Sequence, residues 1–237
     1  MIWVLTLLGG LFSLQATAQV TVNMPYNSGL QTFSIAPPGT CQFVFRDNGG
    51  TGNYSSGSNP TSSLESIKRG AGPFNRPTKT AVAPNGDLYI SEYGGADRIQ
   101  KFAAQDHALI WERGSFGQAP GQFSRPEGLA VGPRGNLYVA DSCNHRIQVF
   151  SPDGELQRVF GMPGTGPGEL SYPYDLAFDP DGRLFVCEFG NSRIQVFTPQ
   201  GKSLEIIGEA GGAPGRFNNP WSIDFDSSGN LFVADSM

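Results

Sequence analysis

The sequence is poor in the residues on which most metal and nucleic-acid sites depend. Only 16% of its 237 residues are charged, it has two histidines, and its three cysteines form no C-x-x-C pair. Zinc sites need clustered Cys and His ligands, so we predict no metal site. The 16 Lys and Arg are outnumbered by 21 Asp and Glu and form no basic run. This argues against nucleic acid as a partner, because phosphate contacts need clustered cations.

The common catalytic motifs are also missing. The sequence has no Gly-x-Ser-x-Gly nucleophile elbow, no phosphate-binding loop and no dinucleotide fingerprint between a strand and a helix. Its Gly-rich turns do not have the ligand spacing of an EF-hand calcium loop. We therefore predict no catalytic residue and no cofactor, and the sequence favours a protein that is not an enzyme.

Glycine and proline, in contrast, are abundant and regularly placed. The chain has 32 Gly and 18 Pro, and 38% of its residues are hydrophobic. Disordered chains have a lower hydrophobic content, whereas many short strands joined by tight turns require this composition. We expect an all-β protein.

The N terminus has the features of an export signal. Residues 2–14 are uncharged and mostly apolar, and Ala16-Thr17-Ala18 follows as a cleavage site. The apolar stretch is too short to span a bilayer, so no membrane span is predicted. We interpret residues 1–18 as a signal peptide and expect a secreted or periplasmic protein. The alternatives are a buried N-terminal strand and an uncleaved anchor.

The odd number of cysteines leaves at least one thiol free or paired outside the chain. The three are Cys41, Cys143 and Cys187. We predict that Cys143 and Cys187 are small buried thiols, whereas the pairing of Cys41 stays open.

Residues 19–62 are rich in Ser, Asn and Gly and do not repeat. Within them, Cys41-Gln-Phe-Val-Phe-Arg-Asp-Asn-Gly-Gly and then Asn53-Tyr54-Ser55 resemble the opening of a CUB-type β-sandwich. A whole sandwich needs about 100 residues. The resemblance therefore implies a partial module or a linker.

From residue 74 onwards the chain repeats itself. The units begin at Phe74, Phe123, Leu170 and Phe217. Each contains a proline, at positions 77, 126, 173 and 220, and an acidic residue, at positions 92, 141, 188 and 235. The proline recurs at intervals of 49, 47 and 47 residues, and the acid always lies 15 positions after it. A period of about 47 residues is typical of a β-propeller blade.

Each unit has the pattern of four strands. In the second unit the segments are Gly128-Leu-Ala-Val131, Asn136-Leu-Tyr-Val-Ala-Asp141, Arg146-Ile-Gln-Val-Phe150 and Leu156-Gln-Arg-Val-Phe160. Period-two alternation between Gly, Pro, Asn and Asp turns is typical of hairpins. We predict an all-β fold, a β-propeller of four-stranded antiparallel blades.

The second unit, from Pro126 through Asp141 to Arg146-Ile-Gln-Val-Phe150, resembles the NHL repeat nearly in full. The resemblance extends over residues 74–237 and implies a propeller of about six blades. Residues 63–237 would contain three and a half of them, the last one incomplete. We expect either a truncated six-bladed propeller or self-association through the open edge of the arc, because bare strand edges pair readily.

An acidic residue and an arginine recur in every complete unit. The predicted blade pairs are Glu92 with Arg98, Asp141 with Arg146 and Glu188 with Arg193. A ring of carboxylates would suit a metal or a substrate. A group that is present in every blade, however, serves the blade. We therefore interpret each acid as a structural acceptor of backbone N–H bonds that pairs with its own arginine.

The residues around each blade proline differ between units, and they begin the innermost strand at one mouth of the central channel. The candidate ligand-binding rim consists of Arg76, Lys79, Arg125, Glu127, Tyr174, Asp175 and Trp221. This mixture suits a protein, peptide or glycan, because aromatic side chains supply contact area and charges orient the ligand. Tyr174 and Trp221 equally suit packing between blades.

Two functions are consistent with these observations. The first is a secreted binding or scaffold propeller for a protein, peptide or glycan. The alternative is a fragment of a metal-dependent lyase or lactonase, with Glu127, Asp175 and Asp224 as its candidate ligands. The amidating lyases built on this propeller need several histidines around a central metal, so calcium or zinc would require ligands from missing blades. RNA binding, a property of some cytoplasmic NHL proteins, conflicts with the export signal and the acidic balance.

Overall fold

The computed structural model of the chain describes residue 74, residues 76–236 and three short strands that precede them. Those strands are β1 (Ile2–Thr6), β2 (Thr21–Val22) and β3 (Phe33–Ser34). β2 and β3 are antiparallel. The CUB-like segment with Cys41 lies outside the described residues, as does most of the predicted export signal.

Three four-stranded sheets follow one another along the chain. Blade one contains β4 (Pro77–Val82), β5 (Leu88–Glu92), β6 (Arg98–Phe102) and β7 (Leu109–Arg113). Blade two contains β8 (Pro126–Val131), β9 (Leu137–Asp141), β10 (Arg146–Phe150) and β11 (Leu156–Phe160). Blade three contains β12 (Pro173–Phe178), β13 (Leu184–Glu188), β14 (Arg193–Phe197) and β15 (Ser203–Ile207). Each sheet is antiparallel with its strands in chain order, which confirms the predicted blade. The described part of the chain contains no helix of the length and apolarity that crossing a membrane requires.

The fourth unit contributes two antiparallel strands, β16 (Pro220–Phe225) and β17 (Leu231–Asp235). β1 pairs with the other side of β17 in parallel, with Ile2 opposite Leu231. In the complete blades this place belongs to an antiparallel third strand. A strand at the N terminus is one of the alternatives to an export signal, and the signal peptide over residues 1–18 stays a prediction.

Apolar side chains fill the spaces between successive blades, because each strand alternates between its two faces. Along β9, Leu137 and Val139 belong to the cluster shared with blade one, whereas Tyr138 and Ala140 belong to the cluster shared with blade three. A third cluster joins blade three to β16 and β17. The inner strands also touch across the blade boundaries, β4 with β8, β8 with β12 and β12 with β16. The sheets therefore stack face to face, as in a β-propeller.

Every inner strand begins with the same distortion of the backbone. The residue before the blade proline is left-handed, with φ between 46° and 61°, at Arg76, Arg125, Tyr172 and Asn219. The pairing with the second strand then shifts in register just after the proline in all four blades. Left-handed residues and β-bulges redirect the neighbouring side chains. The regular pairing between the first and second strands is therefore interrupted beside the blade proline. Side chains at this point can differ from blade to blade without disturbing that pairing.

Candidate functional site

The repeated acid lies at the end of the second strand, where it accepts several hydrogen bonds. Asp141 is fully buried and accepts from Arg146 Nε at 2.7 Å and from the backbone N–H of Ser124 at 2.7 Å. The side-chain amides of Asn144 and Gln148 also donate to it. Burial raises the pKa of Asp141, and these donors act against that rise. The carboxylate thus has a structural role, because protein donors inside the fold already occupy it.

The repeated arginine joins its blade to the connection that leads into it. Arg146 donates to the carbonyls of Gln118, Ala119 and Gln122. Blade three repeats the arrangement: Arg193 Nε lies 2.6 Å from Glu188 Oε1, and its guanidinium donates to the carbonyls of Thr165, Gly166 and Glu169. In blade one, Arg98 Nε lies 2.6 Å from Glu92 Oε2. We call this acid–arginine arrangement the blade staple.

The inner strands carry a second network, which is different in every blade. Lys79, Gly128, Asp175 and Ser222 occupy equivalent positions, two residues after each blade proline. Lys79 Nζ of blade one reaches Asp175 Oδ2 of blade three at 2.8 Å. Gly128 lies in the intervening blade, and a Cβ atom there would come within 2.7 Å of the Asp175 Cα atom. The glycine therefore allows the inner strands of blades two and three to approach closely.

Asp175 is the centre of this network. It is 1% exposed, and besides Lys79 it accepts from Ser222 Oγ at 2.5 Å and from the Ile223 N–H at 3.1 Å. Asp224 lies nearby on β16, where burial raises the pKa of its carboxyl and Asp175 adds to that rise. We call Lys79, Asp175 and Ser222 the axial network. A buried carboxylate with three donors is a stable structural element in its own right.

At the blade prolines an arginine lies between two tyrosine rings. The Arg125 guanidinium carbon is 5.4 Å from the ring centre of Tyr93 and 5.2 Å from that of Tyr174. Arg125 Nε also pairs with Glu127 Oε1 at 2.5 Å. Burial raises the pKa of Glu127, although the charge of Arg125 acts against it. The guanidinium is thus held in place by one ion pair and two aromatic faces.

Aromatic side chains continue this surface towards blade four. Tyr174 stacks on Phe189 with ring centres 4.7 Å apart and an interplanar angle of 20°. Trp221 contacts both rings, at 4.9 Å and 5.1 Å between centres. At the other end, the exposed Arg76 places its guanidinium 5.7 Å from the Tyr93 ring centre. We call this set the rim cluster; its members are Arg76, Tyr93, Arg125, Glu127, Tyr174, Phe189 and Trp221.

The structure divides the seven predicted rim residues into two groups. Five belong to the rim cluster, whereas Lys79 and Asp175 pair with each other in the buried axial network. Sequence reasoning missed Tyr93 and Phe189. Each directly follows the repeated acid, at the position that holds Ser142 in blade two and Ser236 in blade four. The signal that would have found them is the change from serine to a large aromatic residue at one register.

The loop between the second and third strands of blade two contains His145 and Cys143. His145 Nδ1 accepts the backbone N–H of Tyr172 in the next blade at 3.2 Å, and the two rings are 4.5 Å apart. Asp97 and Ser192 make the equivalent contact, to the N–H groups of Arg125 and Asn219.

The prediction that Cys143 is buried is wrong: it is exposed, because it lies in a short 3₁₀ turn of this loop, whereas Cys187 is buried.

Metal ligands do not converge in the part of the chain that the structure describes. No group of three or more His, Cys, Asp or Glu side chains there is placed to hold a metal ion. The hydrogen-bonding partners of Asp141, Glu188 and Asp175 account for this, since each carboxylate is already surrounded by donors from the protein.

Comparison with known proteins supports the blade assignment. The NHL repeat family model matches residues 123–150 and 170–197, which run from the connection to the third strand of blades two and three. No curated protein matches the chain. Among solved structures, virginiamycin B lyase from Staphylococcus aureus aligns with 19% identity and a TM-score of 0.53, over 67% of this chain and 48% of its own.

Two other solved structures are similar to the same extent. A putative gluconolactonase aligns with 22% identity and a TM-score of 0.51, over 70% of this chain and 57% of its own. A chain of a nidogen/laminin complex aligns with 20% identity and a TM-score of 0.53, over 69% and 57%. The chain thus spans about half the length of these proteins. At such identities the likeness establishes the propeller fold.

Proposed function

We propose that this chain, a β-propeller segment built of NHL repeats, is an extracytoplasmic binding module that holds a protein or peptide on its rim cluster. The observation that carries the proposal is the continuous cluster from Arg76 to Trp221, which combines arginine with the half-buried rings of Tyr93, Phe189 and Trp221 and the buried ring of Tyr174. Tyr, Trp and Arg are the residue types that supply most of the energy in protein interfaces. The solved nidogen/laminin complex is a protein–protein assembly that contains a chain of similar fold.

The position of the rim cluster supports this role. Its side chains come from positions next to the blade proline or the repeated acid, so the blade staples hold the backbone beneath them. Arg125 is fixed between Tyr93 and Tyr174, which limits the side-chain entropy that a ligand would have to remove. Trp221 and Phe189 are half-buried and keep part of their surface available. A surface that is rigid before binding is suited to recognition rather than to conformational change.

The test is selection of ligands on the full chain. The immobilised protein is probed with a phage-displayed library of random peptides and, in parallel, with a glycan array. We expect peptides to be selected, and we expect Trp221→Ala to weaken their binding at least tenfold, because truncating a central aromatic residue typically costs about 2 kcal/mol or more.

The matched control is Lys202→Ala. Lys202 is exposed in the turn between β14 and β15, at the opposite end of blade three from the rim cluster. Its loss should leave peptide binding unchanged. Peptides that bind wild-type protein and Trp221→Ala equally would refute the proposal, and selection of glycans alone would replace the protein ligand by a sugar.

The second candidate is a metal-dependent lyase or lactonase of which this chain is a part. The observation that favours it is that two carboxylates, Asp175 and Asp224, lie on the inner strands β12 and β16, which contact each other. Isothermal titration of the full chain with calcium and with zinc distinguishes the two candidates. Stoichiometric binding that Asp224→Asn abolishes would support the enzyme, and a lack of binding would mean that Asp175 and Asp224 do not form a metal site in this chain.

A further inference from the structure

We propose that the ligand of the rim cluster is an acidic peptide segment, in which a carboxylate pairs with Arg76 and a neighbouring apolar or aromatic side chain packs against Phe189 and Trp221. This inference rests on the proposed function and adds the chemistry of the ligand. It follows from the uneven distribution of charge and of aromatic surface along the cluster.

Arg76 is the cation of the rim cluster for which the described residues provide no carboxylate partner. Arg125 pairs with Glu127 at 2.5 Å, and Lys79 pairs with Asp175 at 2.8 Å. Arg76 is exposed, its guanidinium lies against Tyr93, and no carboxylate in the described ranges is within ion-pair distance of it. A guanidinium supported on an aromatic face presents its N–H groups to a planar, bidentate acceptor, and the carboxylate is the common one in proteins.

Acidic groups near this end of the blades are engaged elsewhere. Asp97 accepts the backbone N–H groups of Arg125 and Gly95 and is 4% exposed. Glu92 is fully buried in the staple with Arg98. Among the described residues, the accessible charge at the Arg76 end is therefore positive, although the chain as a whole carries a net charge of -5. This local reversal of sign favours an anionic ligand over a cationic one.

The aromatic residues at the other end of the rim cluster indicate that the ligand also carries an apolar side chain. Tyr174, Phe189 and Trp221 have ring centres within 5.1 Å of one another, and none of them carries a charge. Between this end and Arg76 lies Arg125, whose charge Glu127 balances. A ligand that spans the cluster would thus place an uncharged side chain at one end and its carboxylate at the other. A free carboxylate ion would not use the aromatic end.

The experiment uses peptides selected by phage display on the full chain. Each selected peptide is synthesised with its Asp or Glu and again with the Asn or Gln counterpart, and affinity is measured by fluorescence anisotropy. We expect acidic residues to be enriched in the selection. The amide counterpart should bind about tenfold more weakly, as expected for the loss of one charge-assisted hydrogen bond. Raising the salt concentration should weaken only the acidic peptide.

Protein variants locate the carboxylate. Arg76→Ala should weaken the acidic peptide about tenfold and abolish its preference over the amide counterpart, whereas Lys202→Ala should change neither. Glu127→Gln removes the carboxylate that balances Arg125, so it should strengthen binding of the acidic peptide. Because Arg76 is exposed, its variant should fold like wild type, which circular dichroism and thermal unfolding would verify.

The outcomes separate this inference from the proposed function. If Trp221→Ala weakens binding but the acidic peptides and their amide counterparts bind equally, the ligand chemistry inferred here is wrong while the binding function stands. If the preference for the acid survives in Arg76→Ala, Arg76 is not its partner and the inference fails. If no selected peptide depends on any rim residue, both the inference and the proposed function are refuted.

Discussion

The second and third strands carry the same side chains from blade to blade, whereas the inner strands do not. In blades two and three the second and third strands carry the same set of side chains, an acid, an arginine and a glutamine, which are Asp141, Arg146 and Gln148 and then Glu188, Arg193 and Gln195. Each set contacts the same backbone groups of its own connection. The inner strands carry Lys, Gly, Asp and Ser at one register, and each contacts a different neighbour.

This difference has a physical origin. The side chains of the staple donate to backbone carbonyls. Because the backbone has the same course in each blade, the same side chains can form these hydrogen bonds each time. The inner strands instead lie near one axis, where equal side chains at one register would meet. Equal charges there would repel one another, and equal large side chains would clash. Opposite charges across a glycine, as in Lys79, Gly128 and Asp175, avoid both conflicts.

The largest expected effect comes from breaking a staple. Arg193→Ala would leave Glu188 without its ion-pair partner in the interior and would free three backbone carbonyls of the preceding connection. We expect the free energy of unfolding to fall by about 3 kcal/mol, the usual cost of removing one partner of a buried pair. Urea denaturation followed by tryptophan fluorescence measures it.

An exposed pair provides the control for that variant. Arg216 pairs with Glu209 at 2.7 Å, and the two side chains are 48% and 69% exposed. Ion pairs exposed on both sides contribute between zero and about 1 kcal/mol, so Arg216→Ala should have a small effect. Equal losses for the two arginines would mean that the staple is no more important to the blade than a surface pair.

The inner strands are tested by adding one carbon atom to a glycine. In Gly128→Ala the new Cβ would lie 2.7 Å from the Asp175 Cα atom and 2.8 Å from the Tyr174 carbonyl oxygen. Because both contacts are to backbone, the blades would have to separate. We expect a loss of about 2 kcal/mol in the free energy of unfolding, within the range for overpacked sites.

Gly212→Ala is the matched control for this variant. Gly212 lies in the connection before blade four, and nothing is within 4 Å of a Cβ atom placed there. Its substitution should leave stability nearly unchanged. If Gly128→Ala unfolds at the same urea concentration as wild type, close approach of the inner strands is not required.

The sequence predicts the frame of the fold well, because the frame is local and repeated. The predicted blade prolines, such as Pro126, begin the inner strands, and the repeated acids, such as Asp141, end the second strands. Each of these residues acts within its own unit or on the connection before it. A register that recurs along the chain therefore contains the information needed to place them.

The same reasoning is weaker for the candidate site. Lys79 and Asp175 are both on the predicted rim, but their pairing across an intervening blade depends on the distance between inner strands, which Gly128 sets. Tyr93 and Phe189 escaped notice because they vary between blades in a loop, outside the strand pattern. Residues that act between blades are selected by neighbours that are distant in sequence, and a single unit does not reveal them.

The smallest expected effect concerns the contact between blades two and three at His145. Its Nδ1 atom can accept the Tyr172 N–H only when the imidazole is unprotonated, and burial lowers the pKa of His145 below its ordinary value of 6.5. As pH falls, the unfolded chain therefore takes up this proton before the folded chain does. The stability that the contact adds is complete above about pH 6.5 and is lost as pH falls towards the lower folded pKa.

His145→Asn isolates this contribution, because asparagine offers an acceptor oxygen but does not titrate between pH 5 and pH 7. Asp97 and Ser192 already serve as acceptors at the equivalent positions, so the site accommodates other polar residues. Thermal unfolding at several pH values should show wild type losing more stability than the variant on acidification. The difference should stay below about 1 kcal/mol, since a neutral and partly exposed hydrogen bond contributes no more. Parallel curves for the two proteins would mean that His145 holds the blades together by ring packing against Tyr172 alone.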